Sequence, residues 1–144
     1  YYPRFNFQLS DVNAAIALSQ FQKLPRYLAR RREIAERYTH MLSGKPDLIQ
    51  FNVRPHINHF RYLLRFDSEQ ECLACRDFLD ASAIGSIRPL EPRELLHRYL
   101  GLDKEGFPNA ERSVGTLLSI PVYPCLTDDE VERIGSALDE WVDR

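Results

Sequence analysis

Residues 5–38, FNFQLSDVNAAIALSQFQKLPRYLARRREIAERY, decide how the rest of the chain can be arranged. Ser10 before Asp11 marks a helix start: the hydroxyl can accept from an orphan backbone N–H, and the carboxylate lies at the positive end of the helix dipole. Over residues 12–21 only Asn13, Ser19 and Gln20 are polar, and Ala14, Ala15 and Ala17 interleave with Val12, Ile16, Leu18 and Phe21. A helix that is apolar nearly all round must be covered on most sides. One small domain does not offer that much cover, so this rod is expected to meet a partner surface. Pro25 suits the first turn of a helix and not its interior, so the first helix should end near Lys23 and a second should run from Pro25 to about Leu42. On the second, Tyr27, Ile34, Tyr38 and Met41 keep helical spacing, while Arg30, Arg31, Arg32, Glu33, Glu36 and Arg37 form the wet side. The RRRE run could grip an anion or nucleic acid, but solvated, cross-paired charges are the commoner state of such a face, and they are expected here.

A chain of 144 residues fits one domain and buries enough surface for a core without a covalent staple. A hydrophobic content of 44% and a charged content of 28% are ordinary for a globular protein, and a net charge of −2 argues against non-specific nucleic-acid binding. No apolar run approaches the ~20 residues that span a bilayer, so no membrane partner is expected. Three cysteines, an odd number, suggest a reducing compartment, and a cytoplasmic location is expected. The chain starts Tyr1-Tyr2-Pro3 and its one methionine is Met41, so it is expected to be a piece of a longer protein.

Beyond the quoted stretch, residues 43–57 are turn-rich, with at most a short strand around 48–51. Phe60, Tyr62, Leu64 and Phe66 then alternate with His59, Arg61, Leu63 and Arg65, the period of a strand with one buried row; Arg61 and Arg65 read as solvated. Ser68 and Glu71 form a capping-box pair that opens a helix through Ala81, with Cys72, Cys75, Phe78 and Leu79 inward. Residues 83–88, AIGSIR, read as a short strand. Pro92 starts a brief helix that Gly101 ends in the left-handed conformation, and Asn109 caps another. Residues 117–123, LLSIPVY, form a buried strand whose Pro121 confines it to an edge or an end. Thr127 and Glu130 repeat the capping box, and Val131, Ile134, Leu138 and Trp141 follow at helical spacing. The expected fold class is α+β, a small antiparallel or mixed sheet of about three strands packed against helices.

The residues alone name no reaction. His56 and His59 with Cys72 and Cys75 give H-x-x-H then C-x-x-C, but both cysteines fall inside a capped amphipathic helix, so they read as buried packing residues and not as zinc ligands. Cys72 is a full turn inside its helix, which also argues against a redox site, and no histidine can be placed beside Cys125 from sequence. Neither a nucleophile elbow nor a glycine-rich phosphate loop is present.

A resemblance adds what composition could not. FNFQLSDVNAAIALSQFQKL followed by RRREIAERY is similar to the segment after the cofactor domain in the DegT/DnrJ/EryC1/StrS aminotransferases, and LLSIPVYPCLTDDEVERI is similar to that family's C-terminal end. The resemblance implies a small domain like that of fold-type I pyridoxal-phosphate (PLP) transferases. It further implies a homodimer, and a nucleotide-linked keto sugar and an amino donor such as glutamate as substrates of the parent enzyme. Asn6 matches the family asparagine that reaches across the dimer toward the cofactor phosphate. His59 survives from the family's strand motif and Arg88 follows the AIGS segment, which makes both substrate-side candidates. The chain departs from the family pattern at Arg4, Phe7, Gln8, Tyr62, Leu64, Arg88 and Pro89. It also has no lysine suited to the Schiff base with PLP, since Lys23 reads as a helix end, Lys45 as a turn and Lys104 as a loop. The implied role is therefore a C-terminal domain that supplies dimer surface and part of an active-site wall. The alternative, a non-catalytic interaction module, is motivated by the departures at Arg4, Gln8, Tyr62 and Arg88.

Overall fold

A computed structural model describes residues 8–44, 49–50 and 58–144. Helix α1, Asp11–Met41, is capped by the Ser10 hydroxyl, which accepts from the Asn13 amide at 3.3 Å. It does not stop at Pro25; that expectation is corrected. An interior proline removes one helical hydrogen bond, the one Phe21 O would accept, and crowds that carbonyl. Phe21 stands 70% exposed, so water can satisfy the freed oxygen. The downstream turns are held by the core through Ile34, Ala35 and Tyr38.

The sheet is antiparallel. Its body is β2, Tyr62–Arg65, paired with β3, Leu117–Ile120, with Tyr62 opposite Ile120 and Arg65 opposite Leu117. Ile49–Gln50 form a two-residue β1 along the other edge of β2. Where the sequence suggested about three strands, two of four residues form, with only the two-residue β1 beside them. AIGSIR contributes a single bridge, Ile87 to Ser119, and no longer ladder among the described residues. The period of two holds at Tyr62, Leu64 and Phe66, all buried, while Phe60 points to solvent. β3 is buried along its whole length and ends before Pro121, as the missing proline N–H requires.

Helix α2, Glu69–Ala81, places Cys72, Cys75 and Leu79 in the core, as its periodicity predicts; burial pushes the Cys75 thiol up to about 12 and the Cys72 thiol in the same direction. A short 3-10 turn at Pro92–Glu94 leads into α3, Leu96–Tyr99, and Gly101 adopts φ +68° as expected. Helix α4, Pro108–Thr116, starts at the proline, two residues earlier than an Asn109 cap would give. Helix α5, Asp128–Val142, carries the full Thr127/Glu130 capping box and buries Val131, Ile134 and Leu138. One core joins the second half of α1, the β2–β3 pair, α2 and α5. Among the described residues no helix is long and apolar enough to cross a membrane.

The end of α2 carries strain. Ile84 N–H donates to Leu79 O at 2.9 Å and Ala83 N–H to Asp80 O at 3.0 Å, the paired bonds of a Schellman ending. That ending puts residue 83 at φ +54°, a conformation that glycine adopts freely and alanine does not. Ala83→Gly is therefore expected to raise stability by up to about 1 kcal/mol, the Cβ strain relieved less the added freedom of the unfolded chain. Urea unfolding monitored by circular dichroism measures it, and a lowered midpoint would contradict the strain.

The 92–107 excursion is tied to α4 by Glu111, which accepts from Arg98 Nε at 2.8 Å and Nη2, and faces His97 Nε2 at 2.7 Å. The His97 ring stacks on Phe107 at 4.5 Å. Hydrogen bonds from Arg98 first and His97 second hold the Glu111 carboxyl down at about 2, against an ordinary 4.5. A depressed carboxyl stabilises the fold above its unfolded value and loses that contribution as pH falls through the folded one. The melting temperature should therefore drop between pH 4.5 and about 2. Glu111→Gln should flatten that part of the profile, and an unchanged slope would show that the carboxylate is not the titrating group.

Candidate functional site

The site lies where three segments meet at one end of the sheet: residues 58–61 leading into β2, residues 84–87 after α2, and residues 119–125 leaving β3. Arg31 of α1 joins the first and third. Its Nη1 donates to the carbonyls of His59 at 3.1 Å, Phe60 at 3.2 Å and Val122 at 2.6 Å. Its Nε and Nη2 make no hydrogen bond and no ion pair among the described residues, so part of the guanidinium remains available.

Arg31 and Phe60 border two clefts. The first, of about 270 Å³, is also lined by Arg61, Ser86, Ile87 and Tyr123. Arg61 lies over the Phe60 ring at 5.3 Å and has no carboxylate partner among the described residues. The Ser86 hydroxyl is shut off from solvent and has no hydrogen-bond partner among the described residues. Among the described residues, none lining this cleft is acidic. The second cleft, of about 400 Å³, is mostly apolar and is lined by Leu24, Tyr27, Leu28, Pro124 and Cys125 among others.

The arginines of α1 divide between two tasks. Arg30 and Arg37 reach Asp128 at 2.8 and 2.6 Å, and Arg30 also donates to Leu126 O at 2.8 Å. Those two bear out the cross-paired expectation, and their hydrogen bonds lower the Asp128 pKa. Arg31 does not fit it, because its partners are carbonyls. Arg61 is likewise not the solvated strand arginine expected, since it is partly buried at a cleft wall. The alternation at residues 59–66 could assign Arg61 to a face; nothing local could reveal that the face is concave.

Of the residues singled out from sequence, Asn6 lies outside the described residues, and so does His56. His59 is 8% exposed; its carbonyl accepts from Arg31, its Nε2 has no hydrogen-bond partner among the described residues, and it lines neither cleft. Burial first, and the Arg32 charge second, hold its pKa below the usual histidine value, with Glu36 pulling the other way. Arg88 turns toward α2 and α4, where Nη1 pairs with Glu69 at 3.0 Å and Nη2 donates to Val114 O at 3.2 Å. It lines neither cleft.

The first half of α1 stands away from this body. Val12, Ile16, Leu18 and Phe21 are between 57% and 70% exposed. Isolated apolar side chains on a surface are ordinary, but one rod that exposes large apolar side chains on opposite sides carries the mark of a contact surface.

Solved structures share this architecture. The chain is 28% identical to the aminotransferase TlmJ from Streptoalloteichus hindustanus, covering 92% of this chain and 36% of that one with a TM-score of 0.82. It is 25% identical to DesV from S. venezuelae, over 95% of this chain and 38% of that one, TM-score 0.80. Spr1654 from Streptococcus pneumoniae, solved in a PLP form, shares the fold at 24% identity over 94% and 36%, TM-score 0.81. The chain thus spans a little over a third of the length of these relatives. Residues 2–139, nearly the whole chain, match the model of the DegT/DnrJ/EryC1/StrS aminotransferase family, and the chain belongs to that PLP-dependent family.

Proposed function

We propose that this chain is the C-terminal small domain of a PLP-dependent aminotransferase that acts on a nucleotide-linked keto sugar. The parent would serve cell-surface polysaccharide or glycoside biosynthesis in the cytoplasm, with an amino donor such as glutamate. The observation that carries the reading is the bare apolar half of α1, four large side chains each more than half exposed. Such a surface needs a second body, and a homodimer of the parent supplies it. Asn6 is then the residue that meets the partner's cofactor phosphate, and the clefts at Arg31 form part of the active-site wall. His59 holds that wall's rim from behind through its backbone, and Arg88 braces it through Glu69.

The described residues do not hold PLP by themselves. Lys23 on α1 and Lys104 line neither cleft, so among the described residues no lysine amine is presented at the site; Lys45 lies outside those residues. The role assigned to this chain is contact and shape, with no covalent step.

The parent gene product, supplied with PLP, glutamate and a nucleotide-linked keto sugar, should convert glutamate to its keto acid, and the 144-residue chain alone should not. A parent that does neither cofactor binding nor this conversion overturns the reading. Ile16→Glu combined with Phe21→Glu tests the surface separately. Light scattering of the parent should shift from dimer to monomer, while the melting of the 144-residue chain stays within about 0.5 kcal/mol of the original, as for other surface changes. A parent that stays dimeric would place the contact elsewhere.

A further inference from the structure

We infer that the larger cleft is the seat for the start of a second copy's α1, so that two chains pair through antiparallel α1 helices crossing near residue 18. This rests on the reading of α1 as a homodimer surface, and adds its direction and register. On a helix of 3.6 residues per turn, Val12, Ile16, Leu24 and Tyr27 fall within one face about 120° wide, and Leu18 and Phe21 fall on the other side. Val12, Ile16 and Leu24 are exposed. Leu24 and Tyr27 also line the larger cleft, of about 400 Å³, together with Leu28 and Phe60. The apolar face therefore leads from the bare half of α1 into the cleft.

One helix thus carries both a ridge and a groove that receives it. Val12 and Leu24 lie ~18 Å apart along the axis at ~1.5 Å per residue. A copy running the opposite way sets Val12 of each chain against Leu24 of the other, and Leu9 of each enters the other's cleft beside Tyr27. The same contact is then made twice, the condition for a closed pair with twofold symmetry. A parallel copy would set Val12 against Val12 and leave both clefts open. The exposed parts of Leu9, Val12, Ile16, Leu24 and Phe60 on two copies come to roughly 1,000 Å², about the least that a specific contact buries. Arg31 is the only charged residue lining the cleft among the described residues, and its three carbonyl bonds hold it at the wall, so the seat suits an aliphatic side chain.

The cleft supplies its own test, because Cys125, an exposed thiol, lines it. Leu9→Cys in the 144-residue chain, treated with the thiol oxidant diamide, should give a disulfide-linked dimer on non-reducing electrophoresis. Adding Cys125→Ser should abolish that dimer, and Leu100→Cys, exposed elsewhere on the surface, should stay monomeric. Val12→Arg should weaken association by about tenfold or more in light scattering, since it brings an unpaired charge to an apolar seat. Leu18→Arg, on the other side of the helix, should leave association unchanged. Both positions are exposed, so melting of each variant should match the original. No dimer from Leu9→Cys, a dimer that survives Cys125→Ser as a parallel pair would give, or equal losses in Val12→Arg and Leu18→Arg would each overturn the pairing. If the Ile16/Phe21 change splits the parent while Leu9→Cys gives no dimer, the contact surface stands and this geometry falls. The readout needs neither cofactor nor turnover, so the cross-linked dimer with an inactive parent upholds the pairing and sinks the aminotransferase reading.

Discussion

Leu64→Ala should lower the free energy of unfolding by about 3 kcal/mol, measured as a shift of the urea midpoint at constant slope. Leu64 is fully buried in β2, paired opposite Leu118, which is also fully buried, and both belong to the core shared by α1, α2 and α5. Truncation removes the transfer energy of three carbons and leaves a void that neighbours anchored on two strands cannot close. With domain stabilities of roughly 5–15 kcal/mol, that is a large share of the total. A loss under about 1 kcal/mol would mean that the two strands are not packed as described. Leu63, on the opposite row and only partly buried, is the matched control and should cost clearly less.

Arg31→Ala should cost about 2 kcal/mol and disturb the site more than the fold. One nitrogen serves three carbonyls from segments 28, 29 and 91 residues away, and bonds from a charged donor contribute about 1.5–3 kcal/mol in mutational series. Phe60 O lies at an exposed residue, and water replaces that bond. Val122 is 5% exposed, so its carbonyl is the acceptor most harmed. Without the clamp, residues 58–61 and 121–123 separate, and both clefts change shape. Amide exchange should therefore quicken around Phe60 and Val122 while the centre of α5 stays protected. Arg31→Lys should recover part of the stability, since one ammonium cannot reproduce the fork. Wild-type stability and exchange in Arg31→Ala would remove Arg31 from its place as the organiser of the site.

These two substitutions separate what the chain needs to fold from what it needs to shape a binding surface. Leu64 lies in the common core, and Arg31 at the edge where loops converge. The lone apolar half of α1 serves a third purpose, contact with another body, and should be neutral to folding when altered. If the Ile16/Phe21 pair instead unfolded the chain, α1 would have to be packed within it.

The amino-acid order by itself settled the features whose causes are local. Ser10, Ser68 and Thr127 cap their helices because the acceptor and the amide it serves are three residues apart. Cys72, Cys75 and Leu79 go inward, and so do Tyr62, Leu64 and Phe66, because each set repeats with the period of its own element. Family membership was legible for the same reason, since its motifs are short and contiguous. Tertiary structure alone decided that α1 continues through Pro25, because only distant packing outweighs a proline's local cost. It alone brought Arg31, Arg61 and Ser86 to one cleft and turned Arg88 toward Glu69. Those meetings join segments far apart in the chain, and no periodicity within a segment encodes the position of another.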